Sequence, residues 1–180
     1  EQSFFRLHNQ ADSCYTEERK KTGSIEDERH NMQRDNIQTG NTGTKKVRIE
    51  DALEQNGLFV STTVGCSMYP MLRNRRDTII IMPYQGRLKK YDVPLYRRGK
   101  DYVLHRIVEV RPDDYVICGD NCIQKEYGIT DAQILGVLKG FYRGNKQINM
   151  DGLAYRIYVR IWCSLYPLRC LYYKVRGKMA

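Results

Sequence analysis

Tyr102-Val103-Leu104-His105-Arg106-Ile107-Val108-Glu109-Val110 is an apolar, β-branched run interrupted by His105 and Arg106, and Tyr115-Val116-Ile117-Cys118 is a second run. Between them stands Arg111-Pro112-Asp113-Asp114, and Gly119-Asp120-Asn121 follows. Proline pre-sets its φ angle and aspartate bonds its own backbone, so the joint reads as a turn and the two runs as paired strands. The same kind of stretch recurs outward from this pair. Leu58-Phe59-Val60-Ser61-Thr62-Thr63-Val64 is β-branched, and Thr78-Ile79-Ile80-Ile81-Met82 is a short apolar run bounded by charge and Pro83. Asp92 to Tyr96 predicts another strand, placed at an edge or bulge because Pro94 has no N–H for a ladder. Ile134 to Tyr142 closes the series. Short strands at close spacing, with turn residues between them, predict a mainly β domain.

The flanks read differently. Lys46 to Gln55 is rich in helix formers and ends at Asn56-Gly57, a good stop, so a short N-terminal helix is expected. Residues 1–44 hold eight acidic and six basic side chains, few apolar ones without period, and a polar Gly-punctuated end. They read as a disordered or spurious extension. Residues 45–145 are then the domain proper, and 146–180 a basic, amphipathic C-terminal helix. In that last stretch Ala154, Ile157, Ile161, Leu165, Leu168, Tyr172 and Val175 recur at steps of three and four. Arg156, Arg160, Lys174 and Lys178 fall on the other face, and Pro167 predicts a kink. Two readings stay open: a helix packed on the sheet, or a helix lying on a membrane surface. Six basic groups against one acid in residues 150–180 favour anionic lipid in the second.

The 180 residues are 41% apolar, which excludes wholesale disorder. Thirty Lys and Arg against 21 Asp and Glu leave a formal charge of +9 and imply a negatively charged neighbour. No stretch approaches the ~18 apolar residues of a spanning helix, and no charged start followed by an apolar run marks a signal peptide. The expectation is a cytoplasmic or peripheral-membrane protein. The six cysteines are spread too widely for a compact disulfide framework and read as reduced thiols. Cys118 and Cys122 with His105 nearby make only a weak zinc pattern, so no metal and no cofactor is expected.

Three residues carry chemistry. Ser67, in Gly65-Cys66-Ser67-Met68-Tyr69-Pro70, stands after a strand and before a proline-constrained turn, where a nucleophile can be held exposed. His105 is the one imidazole outside the apolar-poor N-terminal segment, which holds His8 and His30, so it is the candidate base. Asp120 can orient that imidazole and stabilise its charged form.

Ser67-Met68-Tyr69-Pro70, then His105-Arg106-Ile107-Val108, then Gly119-Asp120-Asn121 resemble the ordered boxes of type I signal peptidases, whose superfamily includes the self-cleaving LexA-type repressors. Asp77-Thr78-Ile79-Ile80 and Ala132-Gln133-Ile134-Leu135-Gly136-Val137-Leu138 are similar to the strands after the first and last boxes. The His-Arg-Ile box resembles the archaeal and endoplasmic-reticulum type, in which histidine replaces a lysine base. The resemblance covers about residues 58–143. It implies a coiled β-sheet domain of signal-peptidase or LexA-like type. It also implies a serine endopeptidase in which Ser67 is nucleophile, His105 general base and Asp120 the acidic partner, acting on a peptide or precursor protein.

The chain departs from the pattern in places. It shows no N-terminal anchor, Arg76 stands where a glycine often precedes Asp77, and Gly65 offers no hydroxyl to an oxyanion hole that would rest on the Ser67 N–H. A second acid is usual after the Gly-Asp-Asn box, and the nearest here are Glu126 and Asp131. Two rivals remain: a catalytically silent binding module on the same fold, and a basic nucleic-acid-binding protein. Eleven basic against four acidic residues in 73–111 motivate the latter. The lack of a helix-turn-helix and the ordinary solvation of surface charge make nucleic acid the weaker partner.

Overall fold

The computed structural model describes residues 48–178. The expected extension at 1–44 lies outside them. The described chain is mainly β, with three α-helices. Helix α1 (Ile49–Asn56) leads into β1 (Phe59–Thr62), β2 (Asp77–Met82), β3 (Pro94–Arg98), β4 (Asp101–Leu104), β5 (Arg106–Val110), β6 (Tyr115–Cys118) and β7 (Glu126–Ile129). A single 3-10 turn at Asp131–Gln133 precedes β8 (Ile134–Arg143) and β9 (Lys146–Asn149), and α2 (Leu153–Ser164) and α3 (Tyr166–Lys178) end the chain. Helix α1 stops at Gly57, whose φ of 65° lets its N–H turn back onto the Leu53 carbonyl.

The strands form two antiparallel sheets. One runs β1-β2-β8-β3-β4, with β9 also on β8; the other runs β5-β6-β7. Strand β8 organises the larger sheet. One side pairs with β2, while the other takes β3 at its start, with Pro94 opposite Val137, and β9 at its end, with Phe141 opposite Ile148. Register shifts at Ile80/Ile81 and Leu95/Tyr96 mark bulges, and the sheet curls into a half-barrel. Alternation along β2 sends Asp77, Ile79 and Ile81 inward. Two cores result. Ile79, Ile81, Val93, Leu95 and Phe141 centre the first, with Met68, Met71 and Leu72 from the loop after β1; Tyr96, Val103, Ile107, Tyr115 and Ile117 centre the second.

Four local expectations need correction. Strand β3 is not at an edge, since β4 and β8 pair with it on both sides, although it does carry the bulge that is the other expectation, at Leu95/Tyr96. Pro94 is tolerated because it opens the strand. The run 102–110 is two strands, because the chain leaves one sheet after Leu104 and enters the other at Arg106, with His105 at the crossing. Residues 146–149 belong to the sheet as β9 rather than to the C-terminal helix. That helix is two helices separated at Leu165, with Pro167 in the first turn of α3, where its missing N–H breaks no helical bond.

Candidate functional site

Ser67 lies in the loop joining β1 to β2, and this loop is tied at both ends. The Thr63 N–H and hydroxyl donate to the Asp77 carbonyl at 3.0 and 3.1 Å, and the Gly65 N–H donates to Asn74 Oδ1 at 3.0 Å. Behind Ser67, the buried side chains of Met68, Met71 and Leu72 anchor the loop in the first core, and the Tyr69–Pro70 peptide is cis. Asp77 is solvent-free and accepts from the Arg73 N–H, Arg76 and Arg143. Burial would raise its carboxyl, but the Arg76 and Arg73 hydrogen bonds and the Arg143 charge outweigh this and hold it below the usual range.

A second loop grips the first. The Asn121 N–H donates to the Ser67 carbonyl at 2.7 Å, and Asn121 Nδ2 donates to the Cys66 carbonyl at 3.2 Å. Gly119 is the point of closest approach. A Cβ there would sit 2.7 Å from the Ser67 carbonyl oxygen and 3.2 Å from His105 Nε2. Only glycine fits, and the structure thereby brings the Ser67 backbone and the His105 ring to one place. Ser67, His105 and Asp120 are all buried.

The two ring nitrogens of His105 meet different surroundings. Nδ1 lies 3.1 Å from Glu126 Oε1 and 3.4 Å from the Tyr96 hydroxyl. A carboxylate can only accept, so Nδ1 carries the proton and the neutral ring presents its lone pair at Nε2. Nε2 is buried and has no hydrogen-bond partner among the described residues. Glu126 also accepts from Arg98 at 3.1 Å. Burial would raise its carboxyl, but the hydrogen bonds from His105 and Tyr96 and the Arg98 charge hold it below the ordinary range, so it is ionised at neutral pH.

Asp120 is not the carboxylate at His105. It faces Arg106, the next residue in the chain, in a two-bond pair of 2.7 and 2.6 Å. Arg106 also donates to the Tyr91 carbonyl at 3.0 Å and the Tyr155 hydroxyl at 2.8 Å. The reason is geometric. His105 and Arg106 project to opposite sides at the sheet crossing, and β7 brings Glu126, rather than the Gly119-Asp120-Asn121 loop, to the histidine side. Sequence reasoning named Glu126 only as a near acid. Its signal was weak, because Glu126-Tyr127-Gly128-Ile129 lacks a clean strand pattern. Tyr96 was missed altogether.

The C-terminal helices rest on the Gly119-Asp120-Asn121 loop. The Trp162 indole N–H donates to the Asp120 carbonyl at 3.0 Å, Arg169 donates to the same oxygen, and the Tyr173 hydroxyl lies 3.1 Å from Asn121 Oδ1. Tyr155 and Tyr158 pack against the first core. Beside the loop a cavity of about 270 Å³ is lined by Lys90, Lys125, Arg169, Cys118 and Cys163 among others. Burial pushes the Cys118 thiol up to about 12 and Cys163 upward as well, so both stay protonated and weakly nucleophilic. None of the five described cysteines is in a disulfide, and no group of three or more His, Cys, Asp or Glu among the described residues could hold a metal. Of the eleven basic residues in 73–111, Arg76, Arg87, Arg97, Arg98, Arg106 and Arg111 are spent in ion pairs within the chain.

No protein-family model, no curated protein and no solved structure matches this chain.

Proposed function

We propose that this protein is a serine endopeptidase of the signal-peptidase superfamily type, with Ser67 as nucleophile, His105 as general base and Glu126, in place of Asp120, as the residue that orients His105. The observation that carries the reading is the polarised ring of His105: Nδ1 held by an ionised carboxylate, Nε2 buried and unpartnered, and both Nε2 and the Ser67 backbone carbonyl crowding the Gly119 position. In acylation the Ser67 hydroxyl oxygen bonds to the substrate carbonyl carbon and its proton passes to Nε2. The C–N bond then breaks, the leaving amine takes the proton from Nε2, and water hydrolyses the ester by the same route in reverse. Glu126 stabilises the imidazolium that forms twice in this cycle. Low exposure around His105 strengthens that electrostatic help. The substrate is a peptide or precursor protein, and no metal or cofactor enters any step.

One observation favours the silent binding module instead: Ser67 is itself only 4% exposed. A fluorophosphonate probe separates the two readings. The peptidase forms a covalent adduct that mass spectrometry places on Ser67 and that His105→Ala prevents. An unlabelled protein that stays folded would reject the peptidase reading.

A further inference from the structure

The last 26 described residues, α2 and α3, have two apolar faces rather than one. The aromatic face of Tyr155, Tyr158 and Trp162 is committed to the domain and the Gly119-Asp120-Asn121 loop. On the side turned away, Leu153, Ile157 and Ile161 on α2 and Leu168, Leu171 and Val175 on α3 stay more than half exposed. Their spacing of three and four residues puts those on each helix in one stripe. Isolated exposed aliphatics need no explanation, but six large ones in line, running the length of two consecutive helices, form a patch that water would otherwise have to cover.

The charges along the stripe identify what covers it. Arg156, Arg160 and Lys174 each stand one position before Ile157, Ile161 and Val175, so they flank the stripe, and all three are exposed. Residues 153–178 contain no Asp or Glu. A second copy of the chain laid on the stripe would set cations against cations with no acid to offset them. An anionic lipid surface complements both features: acyl chains receive the aliphatic side chains and headgroups receive the cations. Among the described residues no helix is long and apolar enough to cross a bilayer, so the contact is in the plane of the interface.

We infer that α2 and α3 lie on an anionic membrane, with Leu153, Ile157, Ile161, Leu168, Leu171 and Val175 in the lipid and Arg156, Arg160 and Lys174 at the headgroups. The docked and lipid-facing sides belong to the same helices, so the loop that grips Ser67 is held one helix diameter, about 10 Å, from the lipid. This contact goes beyond the proposed reaction and needs none of its chemistry.

The test uses the full chain with phosphatidylcholine vesicles, with and without phosphatidylglycerol. Co-sedimentation is expected with phosphatidylglycerol present at low salt, and it should fall steeply as salt is added. Replacing each flanking cation by Gln should weaken partition about fivefold, and all three about a hundredfold. Ile157→Ser and Leu168→Ser should each weaken it about tenfold. Circular dichroism should show the helices intact in every variant. Ser67→Ala should sediment like the unmodified chain, and the stripe variants should turn over a soluble peptide at the unmodified rate, so failure of docking is distinguishable from failure of the peptidase reading. A chain that stays in the supernatant at low salt overturns the inference. So does equal binding to phosphatidylcholine alone without salt dependence, or a dimer in sedimentation equilibrium that Leu168→Ser dissolves.

Discussion

His105 and Arg106 are neighbours in the chain, both almost closed to solvent, and each faces a carboxylate, yet they end in opposite conditions. Arg106 is saturated. Asp120 takes two of its bonds, and Tyr91, Tyr155 and Met71 accept others. His105 is half-satisfied, with Nδ1 held and Nε2 without a partner among the described residues. A buried polar atom left unpaired costs roughly 1–3 kcal/mol. The completed pair reads as structure, tying the crossing of two sheets to the loop that grips Ser67, and the incomplete one as a place kept open for a proton. On the proposed peptidase reading the two carboxylates have separable consequences, Asp120 in stability and Glu126 in turnover.

The largest effect should fall on the open side. Ser67→Ala and His105→Ala should each lower turnover of a cleavable peptide by about a thousandfold or more, and the double variant little further, because nucleophile and base act as one unit. Unfolding midpoints in urea should move little. A His105→Ala protein with unchanged turnover, or one in which Lys89 or Lys100 proves to be the base, breaks the contrast.

On the saturated side the loss is of folding. Asp120→Ala leaves the Arg106 guanidinium buried without its partner and should cost about 3–5 kcal/mol in urea titrations. Asp120→Leu combined with Arg106→Met should recover most of it, as removing both charges removes the unpaired one. If Asp120→Ala unfolds at the unmodified midpoint, the pair is not structural.

Glu126→Gln sharpens the contrast at the next size down. The amide can still accept from Nδ1 but no longer stabilises an imidazolium, so turnover should fall about a hundredfold, within the range of acid–base assistance. The folding midpoint should change little.

The smallest effect is on acid stability. The Asp77 carboxyl is held below its ordinary 3.8 in the folded chain. A depressed folded value contributes stability that is fully present above the unfolded value and is lost as pH falls through the folded one. Asp77→Asn should therefore lower stability above about pH 4 and flatten the stability–pH curve below it. Unchanged acid denaturation would show that Arg73, Arg76 and Arg143 do not act through this carboxylate.

The elements legible in the sequence were those whose local pattern agrees with their packing. Strand β6 is a continuous apolar run because it is central and fully buried in its sheet, and β2 sends Ile79 and Ile81 onto the first core while Ile80 between them is half-buried. His105 stood out as an imidazole among apolar residues. The sheet crossing at His105 was not legible, since β4 and β5 join without a turn residue. Nor was the partner of His105. Asp120 is closer in sequence and sits in a recognisable box, whereas Glu126 depends on β7, a strand interrupted by Gly128 at a φ of 73°. Strand β9 is mostly polar and exposed, so apolar periodicity could not find it. The C-terminal stretch was read as a choice between packing on the sheet and lying on lipid. Its aromatic face takes the first course and leaves the aliphatic stripe of the second exposed.

Trp162 is the single tryptophan of the chain, stacked on Tyr158, covered by the Arg169 guanidinium and bonded to the Asp120 carbonyl. Every tryptophan photon from this protein thus originates one hydrogen bond away from the loop that grips Ser67. Loosening that loop would admit water to the indole and shift its emission to the red. The molecule carries its own optical gauge of the segment, readable without a label and without a substrate.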